Sequence, residues 1–99
     1  MIVEQFDDKT NTLTLIVKGR FDYSCQKSFR ESFLKRPKQC RFVVDLSQVN
    51  YIDSSALGML LLLRDHAGGN KSEVVLSGAR DFVENALRMA RFERLFTLG

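Results

Sequence analysis

Val43-Val44-Asp45-Leu46-Ser47-Gln48-Val49-Asn50-Tyr51-Ile52-Asp53-Ser54-Ser55-Ala56-Leu57-Gly58 is the stretch on which the fold turns. With Arg41 and Phe42 in front, its first part is a compact β-branched run. Arg41 to Leu46 reads as a central strand, buried on both sides. Its last part changes character. Asp, Ser and Ser are among the best helix caps, because their side-chain oxygens accept from the unpaired N–H groups of a first turn. A helix therefore opens at Asp53-Ser54-Ser55 and runs to about His66. Gly68-Gly69 ends it, since glycine readily takes the left-handed conformation that comes after a helix.

Taken alone, that junction is a helix cap. Two features point further. One cap residue suffices, and here three stand in a row. The helix is also apolar all round: Leu57, Met59, Leu60, Leu61, Leu62 and Leu63 cover every direction of a wheel of ~100° per residue. A two-layer domain of 99 residues cannot enclose a helix on every side. The side near Gly58 and Leu62 is therefore expected to stay exposed, and an exposed apolar patch marks a partner surface. A serine beside such a patch makes an effective switch. Phosphorylation adds about −1.5 to −2 charge, which the N–H groups of a helix N-terminus accept without unfolding.

Working outward, Ile2 to Phe6 reads as a strand and Asp7 to Asn11 as a hairpin loop. Thr12 to Lys18 alternates, with Leu13, Leu15 and Val17 on one face, and Gly19 ends or bulges it. Ser24 to Leu34 is an amphipathic helix with Cys25, Phe29 and Phe33 four apart. Ser24 is its expected cap, Asp22 lies near its positive end, and Pro37 fixes the stop. Glu73 to Leu76 is another strand. Arg80 to Ala90 is a third helix, with Phe82, Ala86, Leu87, Met89 and Ala90 as inner positions. Phe92, Leu95 and Phe96 form an apolar tail that should fold back on the core. Strands alternating with helices after a hairpin predict an α/β layer with some parallel pairing.

Composition narrows the function classes. The chain fits one domain, and its 44% hydrophobic and 27% charged residues place it among soluble globular proteins. The net charge of +3 is scattered. Arg88, Arg91 and Arg94, with Glu84 and Glu93 close by, read as a solvated helix face, not the dense basic stripe of a nucleic-acid reader. Cys25, Cys40 and the lone His66 form no metal-ligand pattern, so no metal is expected and the thiols read as reduced. The N-terminus has no signal-peptide apolar region. The longest apolar run, Ala56 to Leu63, is far short of the ~20 residues of a membrane span. A cytoplasmic protein without membrane insertion is expected. No Gly-rich phosphate loop argues for a nucleotide cofactor. A serine at a strand-to-helix turn invites comparison with a hydrolase nucleophile, but the flanking glycines are missing. The single candidate base, His66, stands about three turns along the same helix, out of reach. No catalytic residue is assigned, and the chain is not expected to be an enzyme.

Asp53-Ser54-Ser55-Ala56-Leu57-Gly58, preceded by Val43-Val44-Asp45-Leu46 and succeeded by a Leu-rich helix, resembles the STAS domain. More narrowly it resembles the stand-alone anti-sigma factor antagonists of bacteria. Gly19-Arg20-Phe21-Asp22 is similar to the family's Gly-x-Leu-Asp after the second strand. The resemblance covers nearly the whole chain. It implies one STAS-like α/β domain over residues 1–99, with a mixed four- to five-stranded sheet and about three main helices packed largely on one face. It also implies a partner-switching cycle. The unphosphorylated antagonist binds an anti-sigma factor that is itself a serine kinase, phosphorylation ends binding, and a metal-dependent serine/threonine phosphatase restores it. Carried over by position, the phosphoacceptor is Ser54, with Ser55 the second choice. Asp22, Asp53 and Ser55 surround the site, and Ala56, Leu57, Gly58 and Leu62 contribute to the partner-binding face. The family commonly has Gly where this chain has Ala56, and alanine firms a helix start by about 1 kcal/mol. The rival within the family is a STAS subunit of a transporter ATPase or stress-sensing complex, with no phosphorylation switch.

Overall fold

The computed structural model describes residues 1–36 and 40–99. Ile2–Asp7 (β1) and Thr12–Phe21 (β2) form an antiparallel hairpin, from Ile2 opposite Val17 to Asp7 opposite Thr12. Gln26–Leu34 (α1) then crosses over to Arg41–Ile52 (β3), Ser54–His66 (α2) to Val74–Ser77 (β4), and Asp81–Met89 (α3) to Thr97–Leu98 (β5). The sheet runs in chain order, β1-β2-β3-β4-β5, and every pairing after the first is parallel. Parallel crossovers are right-handed. Because each one steps in the same direction across the sheet, all three helices fall on the same face.

That one-sided layering sets the core. Leu13, Leu15 and Val17 of β2 and Phe42, Val44 and Leu46 of β3 point under the helices and are buried. Their alternates Thr14, Ile16, Val43 and Asp45 are only half-buried. The expectation that Arg41 to Leu46 is buried on both sides is corrected accordingly, since among the described residues no helix layer covers the second face. Phe21, Phe29 and Phe33 continue the core as a row of rings 5.2 and 5.7 Å apart. Burial of each contributes roughly 1.5–3 kcal/mol. The row ends on His66, whose ring lies 5.4 Å from Phe33 and 5.9 Å from Phe42.

β3 is longer than its neighbour, and the difference is absorbed by irregularity. Thr12 pairs with Arg41, Lys18 with Gln48 and Arg20 with Tyr51, so the offset between partners grows from 29 to 30 to 31. β3 thus takes up two extra residues in two bulges. Gly19, at φ +82°, lies opposite the second, within β2, so this glycine does not end the strand.

Several boundaries differ from expectation. Ser24 does not cap α1. Asp22 caps a 3-10 turn, Tyr23–Cys25, that precedes the helix, and its carboxylate accepts from the Ser24 amide (3.0 Å) and hydroxyl (2.6 Å). The stop assigned to Pro37 lies outside the described residues. The inward stripe of α3 is Val83, Ala86, Leu87 and Ala90. Phe82 and Met89, expected inside, are 54% and 84% exposed, because both lie about 100° round the helix from that stripe. In the tail, Phe92 and Phe96 are buried while Leu95 stays at the surface. Gly68 and Gly69, both at positive φ, end α2 as expected.

Candidate functional site

The C-terminal ends of the parallel strands gather at one edge of the sheet, where ligands and partners of open α/β sheets characteristically bind. There Phe21 pairs with Ile52, so Asp22 and Asp53 leave adjacent strands side by side. Each carboxylate caps the turn or helix next to it in the chain. Asp53 Oδ1 accepts from the Ala56 amide at 3.0 Å and starts α2, while Asp22 starts the turn into α1. The Ser24 hydroxyl, and after it the Arg20 guanidinium, hold the Asp22 carboxyl below the ordinary carboxylate range. Arg20 Nε lies 3.1 Å from Asp22 Oδ2.

Of the three candidate caps, Asp53 alone does the capping. Ser54 opens the helix on its outer side and is exposed, and Ser55 is half-buried. Among the described residues neither hydroxyl holds a hydrogen bond. Ala56 faces the core and is fully buried, so it offers no side-chain surface to a partner. Of the residues expected at the partner-binding face it is the one that helix geometry turns inward: Ala56, Met59, Leu60 and Leu63 form the inward stripe. On the outward side Ser54, Gly58, Leu61 and Asp65 fall in line, with Leu57 half-buried beside them. Leu61 and Leu62 are 43% and 48% exposed. Leu62 then opens into a shallow groove of about 290 Å³ lined by Arg30, Phe33, Leu34, Asp65 and His66. A Cβ placed on Gly58 would meet nothing within 4 Å.

His66 closes the other end of α2. Its Nε2 shares a hydrogen bond with the Arg36 carbonyl at 2.9 Å. Twelve helical residues, about 18 Å at 1.5 Å each, separate it from Ser54. The hydroxyl of Ser54 is thus exposed, and His66 is out of its reach.

A second group at this edge has no signature in the sequence. Arg20 also lies over the Tyr51 ring, 4.0 Å from its centroid, and Tyr51 stacks on Phe82 at 6.0 Å and 17°. Arg80 reaches the Ser47 carbonyl at 3.4 Å, next to the point where a Cβ on Gly78 would come within 2.8 Å of the Ser47 Cβ. This start of α3 covers the edge of β3 that extends beyond the short β4. The group is visible only through register. Arg20 and Tyr51 face each other because of the two bulges, which no periodicity announces. Among the described residues no three His, Cys, Asp or Glu side chains gather as a metal site. No described helix is long and apolar enough to cross a membrane.

Comparison with known proteins places this geometry in context. A family model described as "Mlab, STAS domain" matches residues 4–98. A STAS-domain containing protein of Pseudomonas aeruginosa (strain UCBPP-PA14) is 44% identical over 90 residues, covering 88% of this chain and 87% of that protein. Among solved structures, the anti-sigma factor antagonist SpoIIAA in its unphosphorylated form superposes with a TM-score of 0.79 at 13% identity, over 100% of this chain and 87% of that one. A sulfate transporter family protein from Wolinella succinogenes does so with a TM-score of 0.68 at 20% identity, over 87% and 76%. These last two establish a shared mixed sheet with its helices on one side. Together with the family match and the relative, they lead to one conclusion: this chain belongs to the STAS domain family.

Proposed function

We propose that the protein is an anti-sigma factor antagonist in a partner-switching pathway. It binds an anti-sigma factor/serine kinase when unphosphorylated and is released by phosphorylation at Ser54. One observation carries the reading: Ser54 is exposed, its hydroxyl is unengaged, and a neighbouring residue does the capping. A phosphoryl group transferred there from ATP leaves the helix start intact, because Asp53 still holds the Ala56 amide. What changes is the surface. The Leu57–Gly58–Leu62 side of α2, the docking face in this reading, gains about two negative charges at its head, beside Asp53 and Asp22. A metal-dependent serine/threonine phosphatase reverses the change. The protein acts by binding in this cycle, and the chemistry belongs to its partners. Cytoplasmic location and transcription control belong to the same proposal.

Intact-mass measurement of the protein from its native cells, with phosphopeptide mapping and a phosphatase-treated control, tests it. One removable phosphate at Ser54, on the peptide from Asp53 to Arg64, is expected. A protein free of phosphate under every growth condition would overturn the switch. It would favour the second reading, a constitutive STAS subunit of a transporter ATPase or stress-sensing complex. The description of the matching family model and the sulfate transporter family structure give that reading its support.

A further inference from the structure

We propose that Arg20 is the receiver of the Ser54 phosphate, drawn to it from the Asp22 carboxylate. The proposal rests on the reading of Ser54 above and concerns how this chain registers the modification. Arg20 is held by two partners, neither strongly. Its ion pair with Asp22 spans 3.1 Å, but the side chain is 62% exposed, and exposed pairs of this kind contribute little. Its other contact is the face of Tyr51 at 4.0 Å. Tyr51 stands three residues before Ser54, at most ~10 Å along an extended chain. A phosphate there presents a double negative charge and three acceptor oxygens, which a guanidinium grips in a forked, charge-assisted geometry stronger than its hold on a single carboxylate oxygen.

Asp53 and Arg80, charged groups at the same edge, are otherwise disposed. Asp53 is engaged with the Ala56 amide and repels phosphate. Arg80 is turned toward the Ser47 carbonyl, and Asp81 comes directly after it in the chain. Transfer of Arg20 has a consequence beyond the phosphate. Asp22 keeps Ser24 but loses its cation, and the Tyr51–Phe82 pair loses the charge lying on it. The modification would thus be felt on β2, β3 and α3 together, as a rearrangement of side chains over an unchanged backbone.

The test installs phosphoserine at position 54 of the full chain during translation, by genetic code expansion. The second ionisation of the phosphate is then titrated by phosphorus NMR, alongside Arg20→Gln, Asp22→Asn and Arg80→Gln forms of the same phosphoprotein. Arg20→Gln should raise the phosphate pKa by about half a unit, the scale of one exposed ion pair. Asp22→Asn, which frees Arg20, should leave it equal or lower, and Arg80→Gln should leave it unmoved. Equal titration of the parent and Arg20→Gln forms would overturn the proposal, as would an equal effect of Arg80→Gln. Should a variant fail to fold, the Arg20 Nε resonance of the parent decides. It should move on phosphorylation and track the phosphate titration, and a stationary signal overturns the proposal. Since translation places the phosphate, the two readings fail separately. No effect of Arg20, with phosphate found on Ser54 in cells, removes Arg20 alone. A working Arg20 contact, with no phosphate in cells, removes the proposed function alone.

Discussion

Asp53 and Ser54 are neighbours with opposite duties. The first fastens the helix and the second is left over. Asp53→Ala should therefore cost about 1 kcal/mol, the usual worth of a cap. Ser54→Ala should stay within about 0.5 kcal/mol of the parent, as for a surface change that removes no contact. Urea denaturation of both variants checks this, and a large loss in Ser54→Ala would show that the hydroxyl supports the fold. Asp22 carries a different signature. Ser24 first, and then Arg20, favour its ionised form in the folded protein, so its folded pKa lies below the unfolded value near 3.8. Its contribution to stability is complete above that unfolded value and disappears as pH falls through the lower folded one. The stability gap between the parent and Asp22→Asn should thus be constant at neutral pH and narrow progressively below about pH 4. A gap that stays constant into acid would mean that the folded carboxyl titrates normally.

At the scale of elements, α2 is the most informative. Its apolar sequence requires that something stay exposed, and the structure leaves Leu61 and Leu62 outside. Gly58 is the anomaly within it. Glycine in a helix interior costs about 1 kcal/mol relative to alanine, yet here the backbone is helical and a Cβ would meet nothing. Gly58→Ala should accordingly raise stability by roughly 0.5–1 kcal/mol, measured by thermal and urea unfolding. If this side of α2 is the docking face, the same variant should bind the partner less well, because the added methyl keeps the partner's surface away from the helix. Loss of stability would instead assign Gly58 a structural duty. Most elements are legible because their periodicity is strong: the alternation of Thr12 to Lys18, and the Asp53 cap with its Gly68-Gly69 stop. The departures share one cause. Hydrophobicity alone puts Phe82 and Met89 inside, but α3 needs only a narrow stripe against the sheet, and Val83 and Leu87 fill it. Residue type alone makes Ser24 a cap, whereas Asp22, two residues earlier, already holds its amide.

For the whole molecule, the sheet has one covered and one bare face, and its order of protection should reflect this. Amide exchange should be slowest in β2 and β3, which lie between neighbours and beneath the helices. It should be fast in β5, a strand of two residues at the margin. Uniform protection across the five strands would contradict this gradient. The overall class is readable from the alternation of strands and helices, since right-handed crossovers leave few arrangements. The bare face is not, because the β-branched run of Arg41 to Leu46 looks the same whether one or two layers cover it. The Arg20–Tyr51–Phe82 group is equally hidden, because it depends on which residues two bulges bring level.

The strand order has a consequence for how the protein is made. Each strand lies beside the one that precedes it in the chain, and none is inserted between two older ones. A nascent chain leaving the ribosome can therefore lay down the sheet in the order of synthesis. The β1–β2 hairpin is a ready edge when β3 emerges, β3 is a ready edge for β4, and each helix emerges after the strand it starts from and before the one it leads to. Each new strand finds its partner already made, so at any moment only the growing edge waits for a segment still inside the exit tunnel, and two residues complete the last one.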